Sequence, residues 1–188
     1  MAKAKTGAFY LTEQVILTAT NTAVQGSISL ASYVDVASRQ GIAIESVDFM
    51  YQGFDSASRD YQPTLANIGG ANPPVAPLTT GAQLLDVQRG VGIVSAADRA
   101  LVGSASLVQT TDGGLAHQSD LYPDNYGPVA TEEARIVVND TLFFTATTDN
   151  NFAGTKDLAV TVRVKARIVT LSERDFMSIA ITSSAADN

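Results

Sequence analysis

A single histidine, His117, stands in the segment GGLAHQSD, with Asp112 and Asp120 near it in the chain. An imidazole beside carboxylates is the simplest arrangement that can act as a general base or hold a metal ion. Ser119 follows two residues later, yet neighbours in sequence do not make a triad, and no nucleophile motif surrounds it. A lone loop histidine is ordinarily a solvated side chain. Carboxylates gather as Asp112, Asp120 and Asp124 in one loop, and as Asp140 and Asp149 near another. Calcium takes oxygen ligands of this sort, but the spacing is not that of an EF-hand, and aspartate is an ordinary turn former. The glycine-spaced GVGIV of residues 90–94 lacks the full spacing and the strand–turn–helix setting of a dinucleotide fingerprint, and there is no phosphate-binding Walker loop. No catalytic, cofactor-binding or metal-ligating residue is therefore assigned, and the chain is not expected to be an enzyme.

The most regular pattern lies in residues 158–168, LAVTVRVKARI. Leu158, Val160, Val162, Val164, Ala166 and Ile168 share one parity, while Thr161, Arg163, Lys165 and Arg167 share the other. A strand turns successive side chains to opposite faces, so this run has a dry side and a cationic side. A helix would scatter the arginines among the valines. Eleven residues in a strand span roughly 35 Å, which calls for equally long partners and hence a large sandwich. Arg163, Lys165 and Arg167 would stand about 6.6 to 7 Å apart. Two readings are open for them: the solvated outer face of a sheet, or a contact with a negatively charged neighbour. The loop tyrosines Tyr61, Tyr122 and Tyr126 read either as interface anchors or as routine loop packing.

Composition narrows the neighbour. The 188 residues carry a formal charge of −7, which argues against nucleic-acid binding, whether sequence-specific or not. A concentrated cationic stripe in an acidic protein instead suits like subunits meeting in a defined orientation. With no cysteine there is neither a disulfide framework nor a thiolate metal site. No apolar run approaches the roughly 18 to 20 residues that span a bilayer. Lys3 and Lys5 precede apolar residues, but Thr12, Glu13 and Gln14 interrupt them, so no signal peptide is expected.

One domain over residues 1–188 is expected, with 1–7 a flexible arm, 54–82 and 111–128 long loops, and 183–188 a loose tail. Residues 8–20 alternate as a strand that Glu13 breaks, which a bulge or exposed end near Glu13 would resolve. Further strands are expected over 27–35, 42–52, 83–88, 103–110, 133–138 and 141–148. Asn139-Asp140 reads as a tight hairpin turn between the last two. Residues 95–102 read as one helical turn capped by Ser95. Ser172 with Asp175 resembles a capping box, so residues 172–182 fit a short helix, and 176–182 fit a strand equally well. About eight strands, turns and two long loops make an all-β fold, a single jelly-roll sandwich of antiparallel strands.

The stretches GAFYLTEQVILTAT, YVDVASRQGIAIESVDFMYQ and VRVKARIVTLSERDF carry a resemblance across the whole chain. The sequence resembles the smaller single jelly-roll major capsid protein of tailless icosahedral haloarchaeal viruses with an internal membrane. That resemblance implies a structural subunit of the virion, made in the host cytoplasm, with no cofactor. Its implied partners are further copies and a second, larger jelly-roll capsid protein, with possible contact to the internal viral membrane. The alternative from another class is a carbohydrate- or ligand-binding β-sandwich module. It would need an aromatic platform or a calcium site in the loops.

Overall fold

The computed structural model describes residues 2–18, 23–63, 78–109, 116–122, 134–149 and 157–184. In chain order the strands are β1 (Lys3–Ala4), β2 (Phe9–Leu17), β3 (Val24–Ser29), β4 (Gln40–Asp55), β5 (Asp60–Pro63) and β6 (Leu78–Leu85). They continue with β7 (Leu101–Gln109), β8 (Ala116–Tyr122), β9 (Arg135–Val137), β10 (Thr141–Thr148) and β11 (Asp157–Thr170), and one helix, α1 (Glu173–Ser184), follows. Two antiparallel sheets result. One runs β2-β11-β4-β9, with β1 extending the β2 edge and β5 the β9 edge; the other runs β3-β10-β6-β7-β8. Strands adjacent in sequence are repeatedly sent to opposite sheets, as in β2 and β3 or β9 and β10. This is the jelly-roll wind.

The alternating run seen in the sequence is the inner strand of its sheet. β11 pairs with β2 from Leu158↔Leu17 to Ala166↔Phe9 and with β4 from Asp157↔Phe54 to Thr170↔Gln40. Its valines meet Val15, Leu17, Ile42, Ile44, Val47 and Phe49 on one sheet and Ile28, Leu84, Leu142 and Phe144 on the other. Each such side chain, fully buried, contributes roughly 1.5–3 kcal/mol. Tyr51 reaches across and donates its hydroxyl to Ala105 O at 3.1 Å, and burial pushes its pKa up.

Several expectations are corrected. Lys3–Ala4 is not a free arm but pairs with Thr170 and Val169, and Lys5 N donates to Ile168 O at 2.8 Å. The edge of β11 beyond β2 offers unpaired backbone groups, which the arm satisfies. Within the expected loop 54–82, Asp60–Pro63 and Leu78–Leu85 are strands, and residues 64–77 lie outside the described residues. Within 111–128, Ala116–Tyr122 is a strand on the β7 edge, with 111–115 and 123–128 outside the described residues. Asn139-Asp140 does not close a hairpin, because β9 and β10 belong to different sheets. Asn139 is instead held at this corner by its side-chain amide, which donates to Asp86 O at 2.5 Å. Leu101 and Val102 belong to β7 rather than to a helical turn. Glu13 needs no bulge: it lies over Gly26 of β3, where an added Cβ would fall 2.7 Å from its Oε1. Glycine supplies the room that strand parity withholds.

Residues 172–182 are decided for helix. Ser172 Oγ accepts from Asp175 N at 3.2 Å, an N-cap, and Phe176, Ile179 and Ala180 pack on Ala43, Val138, Val169 and Leu171. The outer face of the sheet is covered there, so Val169 is buried while Ile168 is only half-buried, against simple alternation. α1 extends to Ser184, so residues 183 and 184 are helical rather than part of a loose tail; residues 185–188 lie outside the described residues. Ser172→Ala should lower stability by about 1 kcal/mol in urea unfolding, through loss of the cap.

Candidate subunit-contact face

The cationic side of β11 forms the outer face of the larger sheet. Register places Thr12, Arg163 and Asp48 in one row, Tyr10, Lys165 and Ser46 in the next, and Gln14, Thr161 and Met50 on the other side. One irregularity shapes this face. Pairing slips between Lys165↔Ser46 and Ala166↔Ile44, so Glu45 is the extra residue of a β-bulge. Ile42 and Ile44 point into the core, and so do Val47, Phe49 and Tyr51; the parity change is absorbed over residues 45 and 46.

The bulge turns Glu45 onto the cationic side, where its carboxylate is only 5% exposed. Arg167 Nε bonds Glu45 Oε1 at 2.7 Å, and Lys165 Nζ lies 3.5 Å from Oε2. Two of the three predicted cations are thus drawn to one buried carboxylate. Arg163 is the exposed member: its guanidinium sits 4.3 Å from the centre of the Tyr10 ring and its register partner on β4 is Asp48. A stacked pair of this kind, still wet, contributes roughly 0.5–1 kcal/mol. The stripe is therefore not a bare positive surface. It is three cations set against Glu45 and Asp48.

Tyr61, on β5, joins the same face. Its ring packs against Phe54 at 5.1 Å, and its hydroxyl donates to Gln14 Oε1 at 2.9 Å, while Gln14 Nε2 donates to Thr161 Oγ1 at 2.9 Å. Phe54 and Gln14 belong to β4 and β2, so the side chain spans the strands between and half of it stays exposed. With Tyr10 at 53% and Met50 at 40% exposed, the face presents three large apolar side chains to its surroundings.

Tyr122 ends β8, its side chain lying outside the described residues together with those of His117, Ser119 and Asp120; Asp112, Asp124 and Tyr126 lie outside them altogether. Asp140 accepts from Thr141 Oγ1 at 3.0 Å, and Asp149 accepts from Thr79 N at 2.7 Å, a bond to a strand 70 residues away rather than one that closes a local turn. Among the described residues, no group of three or more histidines, aspartates or glutamates stands close enough to hold a metal ion.

Sequence reasoning missed one polar cluster. Asp86, only 3% exposed, pairs with Arg135 at 3.0 Å, and Arg135 also donates to Arg99 O at 2.8 Å. Burial raises the Asp86 pKa, and the hydrogen bond and charge of Arg135 oppose the rise. The pair borders a cleft of about 450 Å³ beneath α1, lined also by Ala134, Ile136, Ile179 and Thr182. Its members come from strand ends 49 residues apart, a juxtaposition no local pattern announces.

No family model and no curated protein matches the chain. Among solved structures, one similar chain comes from Desmodium yellow mottle tymovirus. It shares 10% sequence identity, with a TM-score of 0.32, over 88% of this chain and 90% of that one.

Proposed function

We propose that the chain is a structural subunit of an icosahedral virus capsid. It assembles with further copies and with a larger jelly-roll protein into capsomers around a membrane-enclosed genome, and it resides in the virion rather than acting as an enzyme. The observation that carries this reading is the distribution of exposed apolar side chains. Tyr10, Met50 and Tyr61 stand on the outer face of one sheet, Val91 and Ile93 on the side of the other, and Val36, Met177 and Ile181 towards the helix. Apolar surface exposed on several sides suits a subunit enclosed by neighbours on several sides. The long strands β4 and β11 fit the same role, since strand length sets the thickness of a wall built from upright sandwiches. The resemblance of the sequence to haloarchaeal capsid proteins supports the membrane-containing class of virus. Among the described residues no helix is long and apolar enough to cross a membrane.

A sugar platform is less well supported on this face. The Tyr10 ring carries the Arg163 guanidinium, and the Tyr61 hydroxyl is engaged by Gln14.

The contact is proposed to centre on Tyr10, Arg163, Met50 and Tyr61, with Lys165 and Arg167 at its margin. Arg163 can be reversed without touching the Glu45 network, whereas Arg167→Glu would set a second carboxylate against a buried one. The Tyr10→Ser, Arg163→Glu variant should keep its circular dichroism spectrum and raise the protein concentration needed for assembly at least tenfold. Sedimentation velocity and electron microscopy read the outcome. Wild-type protein that stays monomeric at every salt and protein concentration would sink the capsid reading.

A further inference from the structure

The outer side of the five-stranded sheet carries a knob and a cleft next to each other. Residues 88–94 cross this side as a strap. Gln83, 6% exposed, holds it with both ends of its amide: Val94 N donates to Oε1 at 2.7 Å, and Nε2 donates to Val94 O at 3.0 Å. Gln25 Nε2 donates to Gly90 O at 2.7 Å, where the strap turns with φ at 88°. Ile93 lies over Gly81, its Cδ1 3.6 Å from where a Cβ would stand. A strap so firmly pinned nevertheless leaves Val91 55% and Ile93 43% exposed at its crest.

Beside the strap opens a cleft of about 640 Å³ whose wall includes Val34, Val36, Val87 and Phe143 alongside polar groups such as Asn139 and Asp140. Phe143 belongs to β10, and Gly81 pairs with Thr147 on the same strand. Knob and cleft are therefore separated by four residues of β10, about 13 Å. Their surroundings differ in charge. The cleft is bordered by exposed Asp140, whereas the strap carries Arg89, which approaches Asp98 to 3.4 Å, with exposed Arg99 next to that aspartate in the chain.

We propose that this side is where two copies of the chain meet about a dyad, each laying Val91 and Ile93 into the other's cleft. A dyad contact uses one surface twice, so it requires a patch that is complementary to itself. An apolar projection and a mainly apolar recess on one side, with opposite charges beside them, meet that requirement. The proposal rests on the reading of the chain as an assembling subunit and names one of its contacts. A dyad alone closes at two copies, so the Tyr10–Arg163 face would supply the contact that extends a shell.

The absence of native cysteine makes the test direct. Ile93→Cys and Val36→Cys proteins, each prepared separately, are mixed under mild oxidation and the products mapped by mass spectrometry. A disulfide joining residue 93 of one copy to residue 36 of another is expected on mixing. Ile93→Asp should weaken self-association at least tenfold with its circular dichroism unchanged. If the wild-type chain assembles, yet no such cross-link forms and Ile93→Asp associates normally, the dyad is wrong and the capsid reading stands. If the wild-type chain never self-associates, both fall.

Discussion

Val162→Asp should abolish the folded state. Val162 is fully buried at the middle of β11, between Glu13 of β2 and Phe49 of β4. An aspartate there would lose its hydration with no cation in reach on the inward face among the described residues, and its cross-strand neighbour is itself a carboxylate. Burying an unpaired charge is among the few single changes that cost more than about 4–5 kcal/mol. Domains of this size are stable by only about 5–15 kcal/mol. Far-UV circular dichroism and proteolysis should therefore report an unfolded chain. Arg163→Ala, one residue along on the other face, should unfold at nearly the wild-type urea concentration. A folded Val162→Asp protein would show that the side chain at position 162 does not point into the core between the sheets.

Glu45→Ala should be the most damaging change on the outer face, at about 2 kcal/mol. Removing one member of a buried ion pair ordinarily costs 3–5 kcal/mol, because the partner charge is stranded. Here Lys165 and Arg167 are 39% and 32% exposed, so water recovers part of their solvation and the loss is smaller. Glu45→Gln should lose roughly half as much, since its amide oxygen still accepts from Arg167. Urea unfolding of the two variants separates charge from hydrogen bonding. Equal stability of wild type and Glu45→Ala would mean that the bulge, rather than the ion network, sets the geometry of this face.

The legible parts of the chain were those in which one face of an element repeats. Leu158, Val160, Val162 and Val164 announced their strand because burial on one side imposes a period of two. Ser172 and Asp175 announced a helix start because an N-cap is a local bond, although the choice of helix over strand for the following residues came from Val138, Val169 and Leu171 packing beneath Phe176. Asn139-Asp140 misled for the same reason: turn chemistry is local, but whether a turn closes a hairpin or carries the chain to another sheet depends on distant partners. Glu13 read as a break in its strand because the space it fills is made by Gly26 of a different strand.

The stripe of Arg163, Lys165 and Arg167 shows the same division. Alternation alone determined that these side chains share one face and that the valines between them are core, since both follow from backbone geometry within a single strand. Their electrostatic state was decided by a slip in register on the neighbouring strand, which brings Glu45 from 122 residues away onto Arg167. Tyr10, set in register by β2, decided the partner of Arg163. Charge is a property of surroundings, and surroundings are assembled only when the sheet is.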